Sequence, residues 1–449
     1  MKNLLKMIRN TFSLILTGII NSLVYVSKKI GIIFSFFHFI GIKIKSFFKG
    51  TSHVMHEGLV ALLICAIGDL IAGIILGKMT FFLETFPGLL VLIPGAIGMR
   101  GNIFGSFASR LGTNLHIGIL SPELKKSEVL TENVLSSIIL TLVLSIFLAI
   151  LAKILCIIFN YPSMDLIDFL LISLFTGIIS SVIMLPISMV ISLKSFQYGW
   201  DPDNITNPLI TASGDLFTLP SIILSIFLLS IISNIYVKYI IIIIIISITI
   251  LSFYYGLKMK GAMKRILKQS APILIFSSFL GVSAGGILNS VSSTLLNNPT
   301  LLTLVPLFSG ESGSLISILS ARLSSALHSG LINENSLWAH DKETLRNFSI
   351  IFVLSLFIYP FIGFLAEASS VISGAIGLGF FKTVLISLIA GLILISIMTI
   401  FVFSLSSISY KKGYDPDNIV IPVSTSLTDL ISNMILIAIS LLVFFIVFI

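Results

Sequence analysis

The chain has 449 residues, of which 56% are hydrophobic and only 10% are charged. Apolar stretches of about twenty residues recur from Val54 to the C-terminus, and that is the length a helix needs to cross a bilayer. This composition excludes a soluble domain and predicts an all-α polytopic membrane protein. Cys65 and Cys156 both fall within apolar segments, so neither a disulfide framework nor a cysteine-based metal site is expected.

The N-terminal segment, residues 1–50, is basic and is predicted to lie in the cytoplasm or at the membrane surface. Its apolar stretches 11–26 and 30–42 are short for spanning, which favours an amphipathic helix or helical hairpin on the membrane. A short spanning hairpin would leave the orientation of all later spans unchanged. The net charge of +8 does not predict nucleic-acid binding, because the basic residues cluster on one expected face of the membrane.

Eleven later segments are predicted to span the membrane. They run approximately over residues 54–77, 86–110, 132–157, 165–193, 205–231, 237–256, 270–291, 299–323, 345–366, 381–408 and 418–449. A cytoplasmic N-terminus leaves only four of the lysines between the spans toward the outside, namely Lys78, Lys153, Lys238 and Lys382. This bias predicts a multi-pass cell-membrane protein with its N-terminus in the cytoplasm and its C-terminus outside.

One sequence pattern occurs twice, once near the middle of the chain and once near its end. Residues 201–216 and 415–430 each open with Asp-Pro-Asp-Asn and continue as an apolar helix that carries one more aspartate. The opening turns are interpreted mainly as helix starts, because Asp and Asn satisfy free backbone N–H groups, with a cation-attracting vestibule as a secondary role. The residues concerned are Asp201, Asp203, Asn204, Asp415, Asp417 and Asn418.

A second duplication relates residues 87–118 to residues 299–330 without a gap. In each copy a proline precedes a glycine-rich stretch by four residues, and a break in the helix is expected there. The two matches together predict five-helix repeats over residues 51–236 and 269–449. The linker, residues 237–268, adds one spanning helix and a basic loop, so the repeats are predicted to be parallel about a pseudo-twofold axis along the membrane normal.

The two aspartates inside the duplicated helices are Asp215 and Asp429. Each lies eleven residues past the asparagine of its motif, roughly 16 Å along the helix and near the middle of the bilayer. A carboxylate at that depth is costly unless it faces water, a partner or an ion. Together with the hydroxyls of Thr211 and Thr425, the pair predicts two walls of one cation path; the alternative is a buried acid that hydrogen-bonds between helices.

Other polar residues are candidates for the same path. Asn102 and its counterpart Ser314 are predicted to contact the metal ion. Glu311 either neutralises Arg100 across the pseudo-twofold axis or guards an entrance. Asp69 either binds a coupling ion such as Na⁺ or H⁺ or closes a local set of hydrogen bonds.

The chain resembles the membrane domain of the MgtE magnesium channels, and more closely its tandem form, the solute carrier family 41 transporters. The resemblance rests on residues 94–118, on both Asp-Pro-Asp-Asn helices and on the five-span spacing, and it covers roughly residues 51–449. It implies a divalent-cation path between two five-helix units. Because one chain supplies both units, a monomer is sufficient in principle.

The resemblance also implies roles for particular residues. The family's pore aspartate matches Asp215 and Asp429, and its second-span asparagine matches Asn102. The second half departs from the pattern, since Ser314 stands at the asparagine position, so the resemblance does not imply a symmetric site.

The predicted function is transport of Mg²⁺ or a related divalent metal, with the ion and the lipid bilayer as partners and no organic cofactor. An intramembrane aspartyl protease also uses two aspartates that share a proton. It expects Tyr-Asp and Gly-x-Gly-Asp, whereas this chain has Ser-Gly-Asp215 and Leu-Thr-Asp429. A third hypothesis is a membrane scaffold that transports nothing.

Overall fold

Long apolar segments fold into helices throughout the described part of the chain. The computed structural model describes residues 51–116, 118–121, 127–199, 202–332, 341–372, 377–412 and 416–447, and every regular element in them is an α-helix. The helices are α1 (Thr51–Lys78), α2 (Thr80–Thr85), α3 (Leu89–His116), α4 (Glu128–Ile158), α5 (Leu166–Tyr198), α6 (Pro202–Ile231), α7 (Ile235–Lys258), α8 (Ala262–Ser290), α9 (Ser292–Leu296), α10 (Pro299–His328), α11 (Lys342–Ile372), α12 (Phe380–Lys411) and α13 (Pro416–Val447).

Eleven of these helices are long and apolar enough to cross a membrane, and only the short α2 and α9 are not. Each of the eleven corresponds to one predicted segment, so the all-α polytopic fold class is confirmed. The predicted surface helix over 11–42 lies outside the described residues.

Within residues 57–449, which form one compact unit, two sets of helices have matching neighbours. Helix α3 contacts α4, α5 and α6, and α10 contacts α11, α12 and α13 in the same way. The pairs α4–α5 and α5–α6 recur as α11–α12 and α12–α13. We call the set α1 and α3–α6 the first half, and the set α8 and α10–α13 the second half.

The first helix of each half packs against the other half. Helix α8 contacts α3, α4 and α13, and Gly285 of α8 lies directly on the backbone carbonyl of Val91 in α3. Helix α1 repeats this contact, since Gly73 lies on the carbonyl of Thr303 in α10. Val91 and Thr303 are counterparts in the second duplication, and the two glycines are related by the same shift along the chain. A side chain at either glycine would overlap the backbone of the facing helix. Glycine is therefore required for the exchange in which α1 packs on the second half and α8 packs on the first.

Helices α3 and α10 are central and uninterrupted. Of the most apolar stretch of α10, 94% is buried inside the protein, and 72% of that of α3. Both helices continue through Pro94 and Pro306 and through the glycines that follow. The predicted helix break is therefore wrong. These glycines instead allow close approach, as at Gly101, where an added Cβ would lie 3.4 Å from Cγ2 of Thr211.

Helix α7 lies at the outside of the bundle. Only Ile242, Thr249 and Gly256 are buried, and they fall on one stripe at intervals of seven residues. The helix contacts α4, α5 and α8, and Lys238 forms a 2.8 Å ion pair with Asp168 of α5. Most of its isoleucine side chains are exposed on the protein surface, as expected for a helix that faces lipid.

Candidate cation site

A narrow cavity of ≈ 50 Å³ lies between α3, α6, α10 and α13, which is room for a few water molecules. Most of its lining comes in pairs that occupy matched positions of the two halves. The pairs are Leu76 and Leu288, Ile93 and Val305, Pro94 and Pro306, Ile97 and Ser309, Gly98 and Gly310, Gly101 and Gly313, Thr211 and Thr425, and Asp215 and Asp429. Asn102 and Asn433 line the cavity without their counterparts.

Each duplicated aspartate lies against a glycine of the opposite half. A Cβ added to Gly98 of α3 would lie 3.1 Å from Oδ2 of Asp429, and one added to Gly310 of α10 would lie 2.7 Å from Oδ2 of Asp215. The two carboxylates are close enough to interact electrostatically. The arrangement therefore places two acids from distant parts of the chain at one cavity.

Asn102 connects the two halves beside these acids. Its amide Nδ2 donates to Oγ of Ser426 at 2.9 Å, and Oγ1 of Thr425 donates to its Oδ1 at 3.1 Å. At the counterpart position Ser314 is buried and does not line the cavity; it lies beside the thiol of Cys65. Ser314 has no equivalent hydroxyl to bind, because the counterpart of Ser426 in the first half is Ala212.

Asp69 and Glu311 do not line the cavity but lie next to it. Both side chains are fully buried, and both interact electrostatically with Asp215. A Cβ added to Gly310 would collide with a carboxylate oxygen of Asp69 and would also approach Asp215. Asp69 and Asp215 therefore face the same point of α10. Asp69 reaches this place because α1 packs against the second half.

Arg100 does not neutralise Glu311, so the first of the two alternatives for Glu311 is wrong, and its role at an entrance stays a prediction. The Nε of Arg100 donates to Oγ of Ser180 at 2.7 Å and its Nη2 to Oγ of Ser145 at 3.4 Å, both within the first half. In the described part of the chain, neither carboxylate oxygen of Glu311 has a hydrogen-bond partner. The hydroxyls of α5 and α4 therefore hold the guanidinium within the first half.

The Asp-Pro-Asp-Asn motifs are placed at helix starts, as predicted. Helix α6 begins at Pro202 and α13 at Pro416, the position where proline's missing N–H carries no penalty. The side chains of the six candidate cap and vestibule residues lie outside what the structure describes, so their roles remain predictions.

Two polar lining residues were missed by the sequence reasoning. Ser309 and Asn433 have the apolar counterparts Ile97 and Leu219, so a search for duplicated polar positions passes over them. Asn433 carries a detectable signal, because it follows Asp429 by four residues and therefore lies on the same helix face.

The cavity contains few side chains that could coordinate a metal ion directly. Among the described residues, no three His, Cys, Asp or Glu side chains are grouped so that they could hold a metal ion together. The lining offers two carboxylates together with the hydroxyls and amides of Thr211, Thr425, Asn102, Ser309 and Asn433. All of these offer oxygen, the ligand that hard cations such as Mg²⁺ prefer.

In the described part of the chain, eleven helices long and apolar enough to cross a membrane, together with an acidic, oxygen-lined cavity, define a multi-pass membrane protein. The model of the MgtE family, described as divalent cation transporter, matches residues 93–225 and 305–439, one segment in each half. The chain therefore belongs to the MgtE divalent cation transporter family.

Curated relatives agree with this assignment. Solute carrier family 41 member 3 of Rattus norvegicus is 24% identical over 84% of this chain and 84% of its own length. Solute carrier family 41 member 2 of Mus musculus is 26% identical over 86% of this chain and 70% of its own length. The corresponding protein of Xenopus laevis is 26% identical over 84% and 70%. No solved structure matches the chain significantly.

Proposed function

We propose that this chain carries Mg²⁺ across the cell membrane through the cavity between α3, α6, α10 and α13. The observation that carries the proposal is the convergence of Asp215 and Asp429 on one cavity, each against a glycine of the opposite half. Membership of a divalent cation transporter family supports it. It does not favour the protease or the scaffold hypothesis.

The chemistry of the cavity suits a hydrated ion. Magnesium gives up its water reluctantly and is usually bound through one or two carboxylates, with waters completing an octahedron. Here two aspartates supply the charge, while Thr211, Thr425 and the amide of Asn102 can accept or orient water. Binding of this kind is strong enough to admit an ion and weak enough to release it, as conduction requires.

The domain organisation is proposed on the same evidence. The matching neighbours of the two sets of helices support repeats over residues 51–236 and 269–449, joined by the linker 237–268. We propose that they run parallel, with the N-terminus in the cytoplasm and the C-terminus outside. Both walls of the cavity come from one chain, which supports transport by a monomer.

The test is Mg²⁺ flux into proteoliposomes that contain the full chain or one of its variants. We expect Asp215→Asn and Asp429→Asn each to lower the initial rate at least tenfold, because each removes half of the charge that the cavity offers the ion. Repeating the assay with an imposed Na⁺ or pH gradient tests whether a coupling ion drives transport.

The matched control is Asp168→Asn, which also neutralises an aspartate in a spanning helix but lies at the ion pair with Lys238. It should transport at the native rate. Native flux in both cavity variants, with size exclusion showing folded protein, would remove Asp215 and Asp429 from the path. Absence of Mg²⁺ flux in the native chain, with flux of Co²⁺ or Mn²⁺, would change the ion and keep the path.

A further inference from the structure

Three carboxylates gather on one side of the central cavity. Asp69 of α1 and Glu311 of α10 have no exposed surface, and Asp215 of α6 is 5% exposed. The carboxyl groups of Asp69 and Asp215 lie within hydrogen-bonding reach of each other, and within the described residues no other protein donor reaches an oxygen of Asp69 or of Glu311. Buried charges are normally paired or bound to an ion, because desolvation of an unpaired carboxylate is expensive.

Among the described residues, no cationic side chain balances this group. Arg100, whose Cβ approaches the backbone of α6 beside Asp215, turns its guanidinium to Ser180 and Ser145 instead. Asp69 and Asp215 nevertheless face the same bare point of Gly310, where two ionised oxygens would repel each other. A shared cation converts this repulsion into a binding site.

The surroundings of the three acids also offer unsatisfied polar groups. Ser314 lies one turn after Glu311 on the α10 backbone, is 1% exposed, and its hydroxyl oxygen accepts no conventional hydrogen bond in the described part. Cys65, one turn before Asp69 on α1, lies beside Ser314 and interacts with Glu311.

The arrangement exists on one side only. Asp69 has Gly281 as its counterpart in the second half, and Glu311 has Met99 as its counterpart in the first half. Gly281 packs so closely on Gly95 of α3 that an added Cβ would lie 2.7 Å from Cα of Gly95. At these two positions of the other side there is no acid and the helices are in direct contact, so the fold does not require an acid at either position.

We propose that Asp69 and Asp215 bind a second divalent cation next to the one in the cavity, with Glu311 acting through its nearby charge rather than as a third ligand. This rests on the proposed transport function and adds to it. Asp215 is shared by the two positions, so the second ion weakens its hold on the first, which is how adjacent sites speed release. Two divalent ions also carry four positive charges, matching the four carboxylates Asp69, Asp215, Glu311 and Asp429.

The test counts the Mg²⁺ ions bound at saturation by the purified full chain, using equilibrium dialysis with radioactive Mg²⁺. The native chain should bind two ions, and Asp69→Asn should bind one, with the cavity ion retained. Glu311→Gln should keep two ions but weaken the second at least tenfold. Asp168→Asn, the control for loss of an aspartate from a spanning helix, should bind two.

A steric variant guards against misfolding of Asp69→Asn. Gly310→Ala keeps every charge but places a methyl group where Asp69 and Asp215 meet, so it should also bind one ion. One ion in the native chain, or two in both variants, would overturn the second site and leave the cavity proposal intact. Absence of any bound ion in the folded native chain would overturn both proposals.

Discussion

In the first half the long side chain of Arg100 on α3 reaches the short Ser145 on α4, whereas in the second half the short Ser312 on α10 meets the long Tyr359 on α11. The second contact is a hydrogen bond of 3.0 Å between the two hydroxyls. Ser145 and Tyr359 are related by the same shift along the chain as the Asp-Pro-Asp-Asn motifs and thus occupy the same place in the two halves. The long and short partners have changed helices while the contact has been kept.

The connections after α4 and α11 differ in the same manner. Lys153 donates to Oγ of Ser163 at 3.0 Å and to the carbonyl of Met164 at 2.8 Å. Its counterpart Glu367 accepts from the N–H of Gly379 at 2.8 Å and from Oγ1 of Thr383 at 3.0 Å. A cation that holds acceptors has been replaced by an anion that holds donors.

Polar residues that join helices differ between the two halves, whereas the aspartates at the cavity do not. Where a polar side chain only joins two helices, the matched positions of the two halves carry different residues, and a change at one position is matched by a change in its contact. At the cavity, in contrast, Asp215 and Asp429 are the same residue in both halves. Asp69 and Glu311 fit neither rule, since they have no complementary partner in the other half, and this is why we assign them to an ion.

The largest effect is expected when the chemistry of the second half is transferred to the first. Arg100→Ser alone should leave an empty volume and destabilise the protein by about 3 kcal/mol. Ser145→Tyr alone should overpack against Arg100 and destabilise by about 2 kcal/mol. The double variant should recover most of the loss, since Gly177 provides the space that Gly391 provides for Tyr359. Unfolding by a denaturing detergent in mixed micelles measures all three.

Recovery of stability in the double variant would show that the two residues act as exchangeable partners and that the guanidinium itself is not required. If the double variant lost the sum of the two single changes, the two residues would be independent, and Arg100 would be required for another reason. Ser180 would keep its own bond to the carbonyl of Thr176 in either case, so it does not confuse the result.

Hydropathy predicts which segments of the chain form spanning helices, and that part of the fold was predictable from the sequence. The eleven spans follow from apolar length, while gapless repetition along the chain singles out Asp215 and Asp429 as a candidate pair. Periodicity does not specify which helices become neighbours, so the exchange of α1 and α8 was not predictable. The position of Asp69 depends on that exchange. Asn433 was not predicted because it is uncharged and its counterpart Leu219 is apolar, so neither intramembrane charge nor repetition marks it.

The next effect compares the two glycines that face the acids. Gly310→Ala should lower Mg²⁺ flux at least tenfold, because its methyl group would occupy the place of two carboxylates. Gly98→Ala should lower flux only a few-fold, because its methyl group meets Asp429 alone, at 3.1 Å, and that side chain can shift. Flux into proteoliposomes checks both. Equal loss in the two variants would mean that the sides of the cavity are equivalent, against the one-sided cluster.

The connections should show a smaller difference. Glu367→Gln should destabilise the protein by about 2 kcal/mol, since hydrogen bonds to charged groups are among the stronger ones and this acid serves several donors. Lys153→Met should cost about 1 kcal/mol, because it keeps the apolar stem and loses two bonds at a partly exposed position. Unfolding in mixed micelles ranks the two; a larger loss at Lys153 would reverse the interpretation. Neither change should alter Mg²⁺ affinity.

The smallest effect concerns α7, the helix that has no partner in the duplication. Its ion pair joins Lys238 to Asp168, whose counterpart in the second half is Lys382. The side chains are 17% and 23% exposed, so water and salt reduce the attraction, and a double-mutant cycle with Lys238→Met and Asp168→Asn should give a coupling below about 1 kcal/mol. A coupling above about 2 kcal/mol would show that α7 is fixed to the first half through this pair. Weak coupling instead leaves α7 held by its stripe of three buried residues, as expected of a helix whose main task is to carry the chain back across the membrane.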